Sequence, residues 1–297
     1  MSHVLTLVAP AGGLAAATLA RLRTALADLG ADAGTPDWLA PEEAADIPFA
    51  GLAPEQATAA ARAALDGAPV DAIALAAEGR RKRLLLADMD STIVTSETLD
   101  ELAAYAGLKD RIAAITRRSM NGELDFRQAL TERVGLLAGL DAAALEETWK
   151  ATEITPGAEV LVATMRAHGA HCAIVSGGFT YFTGRVAERL GFHAHYSNTL
   201  GLADGKLTGL VEEPILDRDA KLATLKRLAA EHGLPLSEAL TVGDGANDLA
   251  MLQAAGLGIA FRAKPVVAAA ARARVDHADL RALLFAQGYR AEEIVAA

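Results

Sequence analysis

Asp88 and Asp90 stand two residues apart at the end of the apolar run Leu84–Ala87, and Thr92 adds a hydroxyl two residues later. In extended backbone alternate side chains point the same way, so the two carboxylates can share a face. Two acids on one face repel unless a cation or a proton relieves them. The arrangement suits a Mg²⁺ site in which one carboxylate attacks and the other handles a proton. A strand that merely ends in a polar turn gives the same residues, so the pair needs company before it means catalysis.

Three further groups supply that company. Ser176, Gly177 and Gly178 follow the apolar run Cys172–Val175. A hydroxyl and glycine-freed amides at a helix start make an anion pocket. Lys221 comes next, at the opening of a helix, and offers a cation. Asp244, Asn247 and Asp248 then leave a third apolar stretch, Thr241–Gly243, as a carboxylate followed one turn later by an amide and a second carboxylate. Singly these are common features: Ser-Gly-Gly is a frequent turn, and a lone lysine is ordinarily solvated.

Elements that could bring them together are legible around them. Beyond residue 157 the pattern alternates: helix 158–168, strand 171–175, helix 180–190, hairpin 197–211, helix 219–232, strand 239–243 and helix 247–255. Such alternation implies a parallel sheet covered on both faces, with ligands at its strand ends. Asp204-Gly205 is a strong two-residue turn signal for the hairpin. Residues from about 98 to 153 read as helical, with turn signals at Asn121-Gly122 and Gly139. The first 80 residues form a separate block in the order βαββαβ, which suits a small ferredoxin-like sandwich. Arg80-Arg81-Lys82-Arg83 reads as a solvated linker between the blocks.

The chain has 297 residues, room for two domains, and a net charge of −10, which argues against nucleic acid as a partner. Its single cysteine, Cys172, excludes an internal disulfide framework or a cysteine zinc cage and reads as buried filler. Pro10, Gly12 and Gly13 interrupt the uncharged stretch after His3, so a secretory signal is not expected. No apolar run is long enough for a bilayer, so no membrane partner and a cytoplasmic location are expected.

Asp-x-Asp-x-Thr, Ser-Gly-Gly, Lys and Gly-Asp-Gly-x-Asn-Asp, in that order, resemble the four-motif series of the haloacid dehalogenase-like phosphatases, from Leu84 to about Tyr289. The resemblance implies a Rossmann-like core with an inserted helical cap over about 98–153. It narrows to the phosphoserine phosphatase family at Glu97, Met120, Asn121-Gly122, Phe126, Arg133-Val134-Gly135-Leu136-Leu137, the hairpin ending Asp204–Gly209, and Ala278–Leu280 through Gln287–Tyr289. The fold expected is therefore α/β, with an ACT-like, ferredoxin-like α+β domain over 1–80 and a catalytic domain over 81–297.

The resemblance implies Mg²⁺-dependent hydrolysis of phosphoserine, the last step of serine biosynthesis. Asp88 would be the nucleophile and Asp90 the general acid and base. Mg²⁺ would sit on Asp88, the main-chain carbonyl of Asp90 and Asp244, with Asp248 and Asn247 in support. Ser176, Gly177 and Lys221 would hold the phosphoryl oxygens. Arg133 can grip the substrate carboxylate in bidentate fashion, Glu97 can pair with its ammonium, and Met120 and Phe126 supply apolar cover. A phosphotransferase, a phosphatase for another small phosphomonoester, and an amino-acid sensor working through residues 1–80 are the competing readings. The N-terminal block is left open between a ligand site and a homodimer surface.

Overall fold

The computed structural model describes residues 1–216 and 218–296. The first block runs β1 (His3–Val8), α1 (Ala16–Asp28), β2 (Asp32–Ala33), β3 (Asp37–Ala40), β4 (Ala44–Ala50), α2 (Pro54–Leu65) and β5 (Asp71–Ala76). β1 lies between β4 and β5, antiparallel to both, and β3 pairs with β4. This is the strand order of the βαββαβ sandwich, with the two-residue β2 as an addition on β4. Leu19, Leu22 and Leu26 of α1 and Ala57, Ala61 and Leu65 of α2 close over the sheet and form a core of their own with Leu5, Leu7, Ile47 and Phe49.

The second block opens with β6 (Leu84–Ala87). Four helices follow: α3 (Thr98–Ala104), α4 (Lys109–Met120), α5 (Phe126–Gly135) and α6 (Ala143–Ala151). Then come α7 (Ala158–Ala167), β7 (His171–Phe179), α8 (Thr180–Leu190), β8 (Ala194–Ala203), β9 (Lys206–Glu212), α9 (Arg218–Glu231) and β10 (Ala239–Gly243). The block closes with α10 (Leu249–Ala254), β11 (Leu257–Phe261), α11 (Pro265–Ala270), β12 (Ala273–Val275) and α12 (Ala282–Ala286). The sheet order is β12-β11-β10-β6-β7-β8-β9, parallel except for the β8–β9 hairpin. All four residues of β6 are buried, as expected of a strand covered on both faces. After β6 the chain builds outward through β7, β8 and β9, then returns to lay β10, β11 and β12 on the other side. That reversal opens a crevice at the strand ends beside β6.

α3 to α6 form the cap. Its neck is pinned where Val94 bridges to Ile154, with Thr95 N donating to Glu153 O at 3.0 Å. The hairpin grips the far end of the cap: Gly139 N and Ala142 N donate to Leu207 O and Gly205 O, both at 2.8 Å. The hairpin turn has φ of 50° at Asp204 and 74° at Gly205, the left-handed pair that the Asp-Gly dipeptide favours.

Two expectations are corrected. The basic run is a solvated linker only in part: Arg81 and Arg83 are exposed, Lys82 and Arg80 are not. Lys82 is buried and its Nζ donates to Gly79 O at 2.7 Å and Ser237 O at 2.9 Å, while Arg80 pairs with Asp46 and Arg81 with Glu293. A charge run looks solvated in sequence because the carbonyls and carboxylates that meet it come from distant segments. Ser176-Gly177-Gly178 also does not open a helix. β7 continues through it to Phe179, with a register shift against β8 between Val175 and Phe179.

Candidate active site

Asp88 begins where β6 ends. Its amide donates to Val242 O at 2.9 Å, continuing the β6–β10 ladder by one residue, and its Oδ1 accepts from Met89 N at 2.8 Å. Ser91, with φ of 53°, then turns the chain back so that Val94 N reaches Met89 O. A serine held in the left-handed region is strain that the surrounding contacts must hold, a feature that clusters at functional sites. The tight turn keeps Asp90 at the strand end. Its Oδ1 accepts from Thr98 N, the first amide of α3, at 2.9 Å, and its Oδ2 lies 3.5 Å from Ser176 Oγ. A β-carbon on Gly178 would stand 2.6 Å from Asp90 Oδ2, so glycine is what lets β7 approach this closely.

A buried charge cluster backs the pair. Lys221 Nζ lies 2.9 Å from Asp88 Oδ1 and 2.6 Å from Asp248 Oδ1. Asp248 Oδ2 accepts the amides of Asp244 and Gly245 at 3.1 and 3.0 Å, folding the turn after β10 around itself. Asp244 Oδ2 faces Lys264 Nζ at 3.2 Å. Burial pushes the Asp88 carboxyl well above its usual range, reinforced by Asp248 and Asp244 and opposed by Lys221. Burial, then the charge of Glu97, pushes Asp90 up to about 7, against the hydrogen bonds from Thr98. A carboxyl titrating near neutrality can both give and take a proton. Burial works to lower Lys221, but Asp248 and Asp88 override it and hold the ammonium charged.

Whether these residues suit a divalent cation can be read from the donors. Carboxylate oxygens of Asp88, Asp244 and Asp248 lie within 4.8 Å of one another, all three buried. Asp244 Oδ2 is buried and meets only the Lys264 ammonium among the described residues, at 3.2 Å. Five carboxylates (Asp88, Asp90, Glu97, Asp244, Asp248) face three cations (Lys221, Lys264, Arg133), an all-oxygen, over-acidic setting that a hard dication fits. Asp248 stands in the acidic trio with both oxygens already engaged, one by Lys221 and one by the amides of Asp244 and Gly245, a geometry that suits the supporting place expected of it. The Asp90 carboxylate is engaged at Thr98, leaving its main-chain carbonyl as the expected contribution.

The cap supplies the opposite wall. Arg133 is 4% exposed; its Nε donates to Ala129 O at 3.2 Å and its Nη1 to Thr116 Oγ1 at 3.0 Å. Burial lowers its pKa, against the pull of Glu97, Asp100 and Asp90. Glu97 Oε1 accepts from Ser91 Oγ at 2.7 Å. Phe126 closes over Gly177, where a β-carbon would stand 2.7 Å from its Cζ, and the Met120 sulfur abuts Gly245. Asp88, Asp90, Glu97, Met120, Phe126, Arg133, Ser176, Gly177 and Asn247 line one cavity of only ≈ 20 Å³. That is room for about one water. The structure therefore brings together the residues singled out in sequence, with Lys221, Asp244 and Asp248 behind Asp88.

Sequence reading missed Lys264, the Thr116–Asp100 pair, and Asn198, whose Nδ2 donates to Gly177 O at 2.9 Å. The signal for Lys264 was a lone lysine just past an apolar strand. Thr116 and Asn198 gave none. Cys172 is buried, its thiol pushed up to about 12 by burial, and stands outside the chemistry.

A crevice at a topological switch point, a strand-end Asp-x-Asp, a lysine-bridged acidic trio and a cap over them define a phosphoryl-transfer architecture. The haloacid dehalogenase-like hydrolase family model matches residues 85–253, and the chain belongs to that family. A phosphoserine phosphatase from Streptomyces coelicolor is 44% identical over 244 residues, 82% of this chain and 60% of that protein. One from Lactococcus lactis is 42% identical over 203 residues, 68% of this chain and 94% of that protein. A substrate-bound phosphoserine phosphatase structure superposes with a TM-score of 0.67 at 40% identity, covering 69% of this chain and 98% of that one. The chain spans less than two thirds of the Streptomyces relative's length. Phosphatases of this family generally use Mg²⁺, and the acidic trio is the matching feature here. Among the described residues no helix is long and apolar enough to cross a membrane.

Proposed function

We propose that this chain hydrolyses O-phospho-L-serine to L-serine and phosphate. The observation that carries the reading is Arg133: a buried guanidinium with only neutral acceptors among the described residues, lining the same cavity as Asp88 and Asp90. A phosphoserine zwitterion offers complements to each wall. Its carboxylate suits Arg133, its ammonium suits Glu97, and its phosphate suits Lys221 and Ser176 next to Asp88.

Asp88 would attack phosphorus, forming an Asp88 Oδ–P bond as the P–O bond to serine breaks, with Asp90 giving its proton to the leaving oxygen. Asp90, now ionised, would take a proton from water. The water oxygen then attacks phosphorus and releases Asp88 and phosphate. Lys221 and Ser176 would hold the phosphoryl oxygens as charge redistributes. Asp88, the Asp90 carbonyl and Asp244, with Asp248, would hold Mg²⁺, which when bound neutralises phosphoryl charge. Phosphoserine exceeds the ≈ 20 Å³ cavity, so the cap must open for entry and close for chemistry. The division into an ACT-like domain over 1–80 and a catalytic domain over 81–297 belongs to the same reading, supported by the separate core of the first block. So do the cytoplasmic setting and the serine-biosynthetic step.

Arg133→Ala tests the substrate. kcat/KM for phosphoserine is expected to fall at least about 100-fold, the loss typical of a buried charged pair, and that for an aryl phosphate far less. Equal losses on both would remove Arg133 as reader of the amino-acid end.

Removing the cation gives a second expected result. Burial, then Glu97 and Asp248, push Asp244 up to about 8. Between an unfolded value of about 4 and that folded value, the native carboxyl keeps a proton that the unfolded one has lost. The contribution of Asp244 to stability is therefore present at low pH and lost as pH rises through this window. In EDTA the thermal midpoint should drop from pH 5 to pH 8, and Mg²⁺ should raise it more at pH 8. A Mg²⁺ increment that is larger at pH 5 would contradict the assignment.

A further inference from the structure

Thr116 lies on α4, buried, where three cap helices meet. Its Oγ1 donates to Asp100 Oδ1 on α3 at 2.6 Å, with the Ile112 carbonyl at 3.1 Å as the weaker alternative. Arg133 Nη1 on α5 donates to the same oxygen at 3.0 Å. A hydroxyl has one proton and two lone pairs. Donation to a carboxylate is charge-assisted and prevails over a neutral carbonyl, which leaves a lone pair for the guanidinium.

The arrangement keeps two opposite charges apart. Asp100 and Arg133 are both buried, yet they meet through Thr116 rather than in a direct ion pair. A direct bidentate pair would neutralise the guanidinium and consume its donors. Of the five N–H groups of an arginine, one goes to Ala129 O and one to Thr116 Oγ1. Those left over are enough for a bidentate carboxylate. Asp100 holds the hydroxyl and Thr116 holds the guanidinium.

We propose that Thr116, oriented by Asp100, is a positioning residue for substrate selection. It fixes Arg133 at the cavity wall with no direct ion pair among the described residues, so that a carboxylate on the substrate completes one. The inference deepens the phosphoserine reading and rests on it. Thr116 touches no reacting atom; it acts through Arg133. Substrates without a carboxylate next to the phosphorylated carbon chain gain nothing from it.

Thr116→Val keeps the shape and removes the hydroxyl. KM for phosphoserine should rise about tenfold with kcat within about threefold, the loss of one charge-assisted hydrogen bond. kcat/KM for p-nitrophenyl phosphate, which carries no carboxylate, should change by less than about twofold on the same argument. Thr116→Ser restores the hydroxyl and should bring KM back to near the wild-type value. Asp100→Asn still accepts from Thr116 but without charge, and should shift the ratio of the two substrates in the same direction by less. It also serves if the valine variant fails to fold, as thermal melting would reveal. Equal losses on both substrates, an unchanged KM, or failure of serine to rescue would assign Thr116 to cap packing and overturn the proposal. Wild-type protein that does not prefer phosphoserine over the aryl phosphate overturns the substrate reading instead, before any variant is made.

Discussion

Asp88→Asn is expected to leave no measurable phosphoserine hydrolysis, a loss of at least about 10³-fold, and no acid-stable trapped phosphoenzyme. The amide oxygen still accepts from Met89 N, so the turn after β6 should persist. What disappears is the charge and the nucleophilic lone pair. Stability should move the other way. Burial and the neighbouring Asp248 and Asp244 already disfavour a charge at Asp88, and Lys221 keeps Asp248 as partner at 2.6 Å when Asp88 is neutral. In EDTA the asparagine variant should therefore melt no lower than wild type, the familiar opposition between a functional site and stability. Measuring turnover, phosphoenzyme and melting on one preparation separates the outcomes. A variant that is both inactive and unfolded would say nothing for the nucleophile, whereas residual hydrolysis within about tenfold of wild type would exclude it.

Lys221→Met should have the largest effect on stability. Lys221, Asp248 and Asp88 are all buried. Removing the ammonium leaves two carboxylates facing each other beside a third, and breaking a buried pair in this way costs about 3–5 kcal/mol. The cost must depend on pH. At low pH the raised Asp88 carboxyl carries a proton and misses the lysine little; as pH rises the native state has to ionise it or hold a proton that the unfolded chain releases, and stability falls. Urea unfolding in EDTA should show a deficit that widens from pH 5 to pH 8. A deficit independent of pH would point to lost packing around the lysine stem instead. Turnover should fall with it, since the phosphoryl oxygens lose their buried cation.

The chemistry of the site was legible because it is local. Asp88 and Asp90, Ser176 with its glycines, and Asp244 with Asp248 each sit within a few residues of an apolar strand, so strand ends and carboxylates are read together. The α/β alternation, the hairpin at Asp204-Gly205 and the helical cap were visible for the same reason. What escaped depends on contacts between segments far apart in sequence. Thr116 is one polar residue on an amphipathic helix until α3 and α5 bring Asp100 and Arg133 to it. Lys264 means nothing until β11 is laid beside β10. Lys82 looks solvated until Ser237 supplies its carbonyl. The Ser-Gly-Gly segment was misplaced because glycines that usually mark a turn here allow a strand to bulge against β8.

Asp71, at the start of β5, accepts the amides of Asp276, His277 and Ala278, with distances from 2.7 to 3.3 Å. During synthesis that carboxylate is made some 200 residues before its donors. The late segment, in turn, finds a carboxylate ready-made to accept its backbone amides. The tie between the two blocks at Asp71 thus waits on the segment that follows β12. Cutting the chain after residue 80 would take the carboxylate from those three amides and open to water the part of the core that Val8, Leu39, Ala44 and Ile73 cover. A shortened catalytic unit would lose that aspartate together with the ion pairs of Arg281 with Glu43 and Arg290 with Asp37.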